Sequence, residues 1–291
     1  MSQGSVTARA KAREHEVVVA GVRSPIVEVG PAGAREAVVL VHGSPTSSRD
    51  WESLIGQVGG FARAVALDLP GFGRADKPSR FDYSLDGYAD FLAAAIAELG
   101  IARAHIVAHD IGGPIALRWA VANPAGFASI VLINTGLLSG YRGHPMARIW
   151  RTPLLGELVQ LTLTRSIWRL AVRRGNPRLP REFVDRIYDD YDAGTRATVL
   201  KLYRSMEPVV RSDALAARLR ELDRPALVVW GSGDPYIGVE HAEGNRAGFP
   251  QAEVVMLAES GHWPMADDPD GFAAAAIPFL RRQLGSPGGS T

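Results

Sequence analysis

The sequence predicts an α/β protein, a parallel sheet wrapped by helices with a helical segment inserted into it. Three observations lead there. Short runs of Val, Ile, Leu and Ala alternate with longer segments of helical periodicity, the rhythm of strand–helix–strand units. Several of these runs are apolar on consecutive residues, as strands covered on both faces are. One of them leads into Val107-Ala108-His109-Asp110-Ile111-Gly112-Gly113, a strand entering a glycine-rich turn and then a helix, with a carboxylate at the turn.

The elements follow in order. Glu14–Val19 and Ile26–Val29 are expected to add an antiparallel hairpin at one edge. Glu36–Val41, Ala62–Asp68, His105–His109, Ser129–Asn134, Pro225–Trp230 and Glu253–Leu257 read as strands. Between Ser84 and Leu99, residues Leu85, Tyr88, Leu92, Ile96 and Leu99 recur at helical spacing. Ser84 suits the N-cap there, and Gly100 suits the left-handed residue that ends a helix. Gly112–Ala122 is the helix after the turn, with Pro114 tolerated in its first turn and Asn123-Pro124 ending it.

From Leu137 to Val210 no strand pattern appears. Arginines are interleaved with Tyr141, Trp150, Trp168, Phe183, Tyr188, Tyr191 and Tyr203. This reads as several short helices inserted at the carboxyl end of the Ser129–Asn134 strand, where open α/β sheets bind ligands. The predicted division is therefore a core of residues 1–136 and 211–291 with a helical cap, or lid, of residues 137–210. The cap arginines read as a solvated face, and Trp150 and Trp168 as packing or pocket wall.

Composition narrows the functions. The chain has 291 residues, 46% apolar and 22% charged, with a net charge of +1, so it can bury a large core and carries no electrostatic case for nucleic acid or an acidic partner. It has no cysteine, which excludes disulfides, thiol catalysis and thiolate metal sites and fits a reducing compartment. The first thirteen residues carry Arg9, Lys11 and Arg13 and lack a secretory h-region. No apolar run approaches the roughly 18 residues that span a bilayer. A soluble, cytoplasmic protein is expected, with a disordered Gly/Ser/Pro-rich tail from Gly285 to Thr291. The seven histidines show no paired ligand spacing, so no metal site is implied.

The turn at Asp110 has the form of a nucleophile elbow, which lifts one side chain out of a sheet. Serine is the usual occupant, and it suits attack on acyl carbon. An aspartate is already ionised at neutral pH and suits displacement at saturated carbon, giving an alkyl ester on the enzyme. Substrates with a strained C–O or a C–halogen bond follow. Asp234 in Gly231-Ser232-Gly233-Asp234-Pro235 and His262 in Ser260-Gly261-His262-Trp263 also sit just past strands, in the order nucleophile, acid, histidine. His262 is expected to take a proton from water, with Asp234 fixing its tautomer. The backbone N–H groups of Ser44, in Val41-His42-Gly43-Ser44-Pro45, and of Ile111 suit an oxyanion hole, each such donor being worth about 10²–10³ in rate. Asp68 is better explained by its turn, and Asn134, an amide at a strand end, cannot serve as the acid. His42, His105 and His109 read as structural, and His144 as a loop residue without a role.

Taken together, His42-Gly43-Ser44-Pro45, Asp68-Leu69-Pro70-Gly71-Phe72-Gly73, His109 to Gly113, Gly233-Asp234-Pro235 and Gly261-His262-Trp263 span roughly residues 36 to 275. On these motifs the chain resembles α/β-hydrolases with an aspartate nucleophile, the epoxide hydrolases and haloalkane dehalogenases. The resemblance implies a mostly parallel eight-stranded sheet with a helical cap, and a cis Pro45.

The same resemblance weighs the branches. Dehalogenases carry a tryptophan after the nucleophile to hold the halide, and a second halide donor just after His-Gly. Here those residues are Ile111 and Ser44. A fluoroacetate-type enzyme would place arginines where Ile111 and Pro114 stand. Epoxide hydrolases hold the ring oxygen with two cap tyrosines, and Leu202-Tyr203-Arg204-Ser205-Met206 is similar to the segment that carries one. Tyr203 is thus expected as one ring-opening acid and Tyr141 as the other, with Tyr188 and Tyr191 in reserve. Many epoxide hydrolases also have tryptophan in place of Ile111, so that residue is unusual in both branches. The implied function is an epoxide hydrolase making a vicinal diol from a small apolar substrate, without a cofactor and without a nucleic-acid or membrane partner. The alternatives are a haloalkane dehalogenase, a non-catalytic ligand-binding homologue, or a biosynthetic enzyme for a complex epoxide. A receptor has no use for a water-activating pair, which counts against the non-catalytic reading. Oligomeric state is not legible.

Overall fold

Strands β1 (Arg13–Val19) and β2 (Val22–Val29) form a hairpin turned by Ala20 and Gly21, both left-handed at φ +50° and +77°. Two central residues at positive φ are what a two-residue hairpin requires. The structure is a computed structural model that describes residues 12–207 and 209–285. The expectations for the leader and the disordered tail fall largely outside these residues.

The hairpin is the antiparallel edge of an eight-stranded sheet whose order is β1-β2-β4-β3-β5-β6-β7-β8. β3 (Glu36–Val41), β4 (Arg63–Leu67), β5 (Arg103–His109), β6 (Phe127–Ile133), β7 (Ala226–Gly231) and β8 (Glu253–Leu257) run parallel to one another. In β4, β6 and β7 every residue is buried, and in β3 and β5 all but the first. Helices on both faces explain the uninterrupted apolar runs. β1, β2, β5 and β6 begin one to four residues earlier than the sequence pattern marks, and β4 and β7 one residue later; β2 includes Ser24 and Pro25, because Val22 already pairs with Val19.

Helices α1 (Glu52–Val58), α2 (Leu85–Glu98) and α3 (Gly112–Ala122) precede β6. Ser84 caps α2 by accepting the Gly87 N–H at 3.1 Å, and Gly100 follows its end at φ +66°. Between β6 and β7 lie α4 (Pro145–Arg151), α5 (Leu155–Thr162), α6 (Arg165–Gly175), α7 (Arg181–Asp190), α8 (Ala193–Ser205) and α9 (Asp213–Leu222). After β7 come α10 (Glu240–Gly244), α11 (Pro264–Asp267) and α12 (Pro269–Gly285). Among the described residues no helix is long and apolar enough to cross a membrane.

Of the arginines of α4–α8, Arg148, Arg173, Arg174, Arg181 and Arg204 are exposed as expected, while Arg151, Arg165, Arg169, Arg186 and Arg196 are half-buried. Arg151 donates to the Tyr203 carbonyl at 2.9 Å, Arg196 to that of Tyr191 at 3.1 Å, and Arg204 grips Glu157 at 2.7 and 2.8 Å. Short helices leave many terminal carbonyls without intrahelical partners, and the forked guanidinium reaches them.

Register brings the strand ends together. Val41 pairs with Ala108, His109 with Ile133, Ile133 with Val229 and Gly231 with Leu257. The loops leaving β3, β5, β6, β7 and β8 therefore meet on one edge of the sheet.

Candidate active site

Asp110 follows the last residue of β5 with φ +50°, a left-handed conformation uncommon outside glycine. The glycines around it have a spatial reason. A Cβ on Gly112 would lie 2.6 Å from the Val41 carbonyl oxygen, and one on Gly113 2.4 Å from the Thr135 side chain. A Cβ on Gly43 would lie 2.5 Å from that of Asp110. Without side chains at these positions, the start of α3 and the Gly43 loop can close on the turn and hold its carboxylate.

The Asp110 carboxylate is engaged on both oxygens. Oδ1 accepts the Ser44 N–H at 2.9 Å, and Oδ2 lies 3.6 Å from His262 Nε2. The Ser44–Pro45 peptide is cis. Ile111 is the N-cap residue of α3, immediately beside Asp110.

His262 Nδ1 donates to Asp234 Oδ2 at 2.8 Å, so Nε2 faces Asp110. Asp234 is fixed in turn. Its Oδ1 accepts the N–H groups of Tyr236 and Ile237 at 2.7 and 3.1 Å, and its Oδ2 accepts Asn134 Nδ2 at 2.7 Å. Burial by itself would lower the His262 pKa, but the Asp234 and Asp110 carboxylates outweigh it and push the pKa up to about 10. Burial works against ionising the two carboxylates, yet the imidazolium holds Asp110 well below the usual carboxylate range and Asp234 below its ordinary value. The three groups titrate as a unit.

Three other histidines behave as structural groups. His42 Nε2 accepts the Leu69 N–H at 2.9 Å, and His105 Nδ1 meets Ser129 Oγ at 2.8 Å. His109 lies 4.7 Å from the His262 ring, centre to centre, and its Nε2 donates to the His262 carbonyl at 2.8 Å. Burial, with the neighbouring His262 charge, lowers the His109 pKa to about 3. Asp68 accepts the N–H groups of Ser48 and Arg74 at 2.8 Å each and so orders its own turn.

Above Asp110 and Ile111 opens a cavity of about 510 Å³ between the sheet edge and helices α4 and α8. Leu137, Leu138, Tyr141, His144, Ala147 and Tyr203 contribute to its walls. Tyr203 is buried, its ring 4.8 Å from Trp150, and burial with the nearby Asp110 charge raises its pKa well above the ordinary value. Tyr141 also lines the cavity, but its hydroxyl already donates to the Tyr236 carbonyl at 3.0 Å. Tyr188 donates to Leu163 and Tyr191 accepts from Gln160, so both are tied inside the helical segment and neither lines the cavity.

A family model for the alpha/beta hydrolase fold matches residues 36–269, most of the chain. The chain belongs to the α/β-hydrolase family. It is 29% identical to an uncharacterised protein of Mycobacterium tuberculosis, over 86% of this chain and 76% of that one. It is 28% identical to a cis-3-alkyl-4-alkyloxetan-2-one decarboxylase of Xanthomonas campestris pv. campestris, over 90% and 93% of the two chains. Among solved structures, the haloalkane dehalogenase DbeA of Bradyrhizobium elkani superposes with a TM-score of 0.82 at 23% identity, covering 95% of this chain and all of that one, 100%. At that identity the likeness establishes the fold alone.

Sequence reading passed over four residues that this α/β hydrolase brings to its site. His144 lines the cavity as the N-cap of α4; its Nδ1 accepts the Ala147 N–H at 3.2 Å, which leaves the proton on Nε2. Burial lowers its pKa to about 4, so it is a neutral donor at pH 7. In sequence Gly143-His144-Pro145 reads as a loop, and the cavity it lines is not legible. Asn134 orients Asp234, Tyr236 packs 4.9 Å from the His262 ring, and Asn176 accepts the His262 N–H at 3.1 Å. None of the three carries a local motif. Chemically, the arrangement offers a carboxylate at an elbow, an imidazole backed by an acid, a backbone donor on the carboxylate, and neutral O–H and N–H groups across a mostly apolar cavity.

Proposed function

We propose that this α/β hydrolase converts an epoxide to a vicinal diol through an alkyl ester on Asp110. The observation that carries the reading is the carboxylate at the elbow, 3.6 Å from the Nε2 of an acid-backed histidine. Asp110 attacks an epoxide carbon, and the ring C–O bond breaks. The ring oxygen is held by His144 Nε2–H and takes its proton from Tyr203, across the cavity from Asp110. The ester no longer carries the Asp110 charge that helped to raise the His262 pKa. The imidazolium then gives up a proton, which replaces the one Tyr203 donated. Neutral His262 takes a proton from water, and the hydroxide adds to the ester carbonyl. The Ser44 N–H, 2.9 Å from Asp110 Oδ1, and that of Ile111 steady the oxyanion. Collapse releases the diol and restores the Asp110 carboxylate and the protonated histidine.

Ile111 and Ser44, standing where indole and amide donors would bind a departing halide, favour the epoxide over an alkyl halide. A strained four-membered lactone is the second reading, supported by the 28% identical oxetanone decarboxylase. Like an epoxide, it presents a ring C–O bond to a carboxylate.

The test is the intact mass of a His262→Gln variant incubated with simple epoxides and 1-bromoalkanes. A gain equal to a whole epoxide supports the proposal. A gain equal to an alkyl group without its halogen makes the protein a dehalogenase, and no adduct from any probe removes the ester mechanism for them.

A further inference from the structure

The C-terminal end of α6 rests on both loops that carry the histidine and its acid. Asn176, the C-cap residue of α6, is 1% exposed and uses its whole amide. Its Oδ1 accepts the His262 N–H at 3.1 Å, while its Nδ2 donates to the Val172 carbonyl at 3.1 Å and to the Tyr236 hydroxyl at 3.4 Å. Tyr236 in turn donates its N–H to Asp234 Oδ1 at 2.7 Å. The approach is close: a Cβ on Gly261 would lie 2.7 Å from Asn176 Oδ1, and one on Gly175 2.9 Å from Pro235 Cγ.

His262 is therefore gripped at three points. The cap holds its N–H through Asn176, the sheet holds its carbonyl through His109, and Asp234 holds its ring. Only the first grip comes from the inserted helices. We propose that Asn176 is a positioning residue for His262, through which seating of the cap sets the geometry of ester hydrolysis. The proposal rests on the ester chemistry above. Forming the ester requires Asp110 and the cavity donors, none of which Asn176 touches. Hydrolysing it requires His262 Nε2 aimed at a water beside the ester carbonyl, and misplacement by a fraction of an ångström is costly there. Without Asn176, the buried His262 N–H loses its acceptor and the loop must move to find another.

The test compares wild type, Asn176→Leu and Asn176→Asp. Each is mixed with excess styrene oxide, quenched at intervals and weighed intact. The His262 imidazole proton is followed by NMR across its titration without substrate. The expected result is unchanged ester formation in Asn176→Leu with hydrolysis slowed roughly tenfold, the size of one lost buried hydrogen bond, so that the ester accumulates. Its His262 signal shifts or broadens, and Asn176→Asp, which keeps the acceptor but loses the donor to Val172, restores both in part. Ester formation and hydrolysis falling together, or neither changing, overturns the proposal. If His262→Gln takes up no mass from styrene oxide, the ester reading fails for this probe and the NMR arm decides the positioning role alone. An unchanged His262 signal in Asn176→Leu then overturns it, and an altered signal rescued by Asn176→Asp supports it.

Discussion

Asn134 Nδ2 donates at 2.7 Å to Asp234 Oδ2, the same oxygen that accepts His262 Nδ1 at 2.8 Å. The other end of the amide, Oδ1, accepts the Gly231 N–H at 3.0 Å. An amide at the end of β6 thus supports a carboxylate at the end of β7, and fixes both its position and its charge.

Replacing Asn134 with alanine should lower kcat with little change in KM. A hydrogen bond to a charged group contributes about 1.5–3 kcal/mol, so a loss of roughly 10- to 100-fold is expected. Asn134→Asp should be worse at neutral pH, because it sets a second carboxylate against Asp234. Steady-state kinetics with a thermal melt would separate this from unfolding, and wild-type kcat in Asn134→Ala would contradict the assignment.

The cavity donors should affect the opposite step from His262. Tyr203→Phe and His144→Phe are each expected to slow ester formation by about 10²-fold, the lower range for a positioned acid. In a His262→Gln background they should delay the adduct rather than trap it. Tyr141→Phe should cost less, since its hydroxyl is already committed to the Tyr236 carbonyl. Equal losses at Tyr141 and Tyr203 would make Tyr141 the second donor in place of His144.

Stability should depend on pH through the same triad. His262 has a folded pKa of about 10, above its unfolded value of about 6.5. Its contribution is complete below the unfolded value and is lost as pH rises through the folded one. Asp110 and Asp234 are depressed, so theirs is present above about pH 4 and lost as pH falls through their folded values. The melting-temperature gap between wild type and His262→Gln should therefore narrow as pH is raised from neutrality towards about 10. A constant gap would show that the histidine is not held as an imidazolium.

Arg186 of α7 makes a buried link to the segment between β3 and α1. Its Nη2 lies 3.0 Å from Asp50 Oδ1, with the Asp50 side chain fully buried at 0% exposure. Burial already raises the Asp50 pKa against the pull of Arg186. Arg186→Ala should destabilise the protein by about 3–5 kcal/mol, because it leaves a buried carboxylate without its cation. The deficit should shrink at acid pH as Asp50 becomes protonated, and an added Asp50→Asn should recover part of it. Urea unfolding at two pH values measures both.

Much of the site was legible because its chemistry sits in local motifs. The elbow around Asp110 is a strand, a turn and close-approach glycines in seven consecutive residues, and each leaves a mark in sequence. Asp234 and His262 each follow a strand whose apolar run is plain. His144 escaped because Gly143-His144-Pro145 reads as a loop. The cavity it lines depends on where the start of α4 sits relative to the Asp110 turn. The half-buried arginines Arg151 and Arg196 are not legible as such, because they donate to the backbone carbonyls of Tyr203 and Tyr191, which have no signature in sequence.

The sequence by itself determined the α/β class, the strand order of the three site loops along the chain, and the residue types that meet there. These depend on consecutive apolar runs, on helical periodicity and on glycine spacing, which are local properties of the chain. Only the tertiary structure decided which polar groups gather around them: Asn134 on Asp234, Asn176 on His262, and His144 on the wall of the cavity that Asp110 also lines. Those contacts join residues 86 to 100 apart in the first two cases. A hydrogen bond between distant residues is set by packing of whole elements, and no pattern within either segment announces its partner.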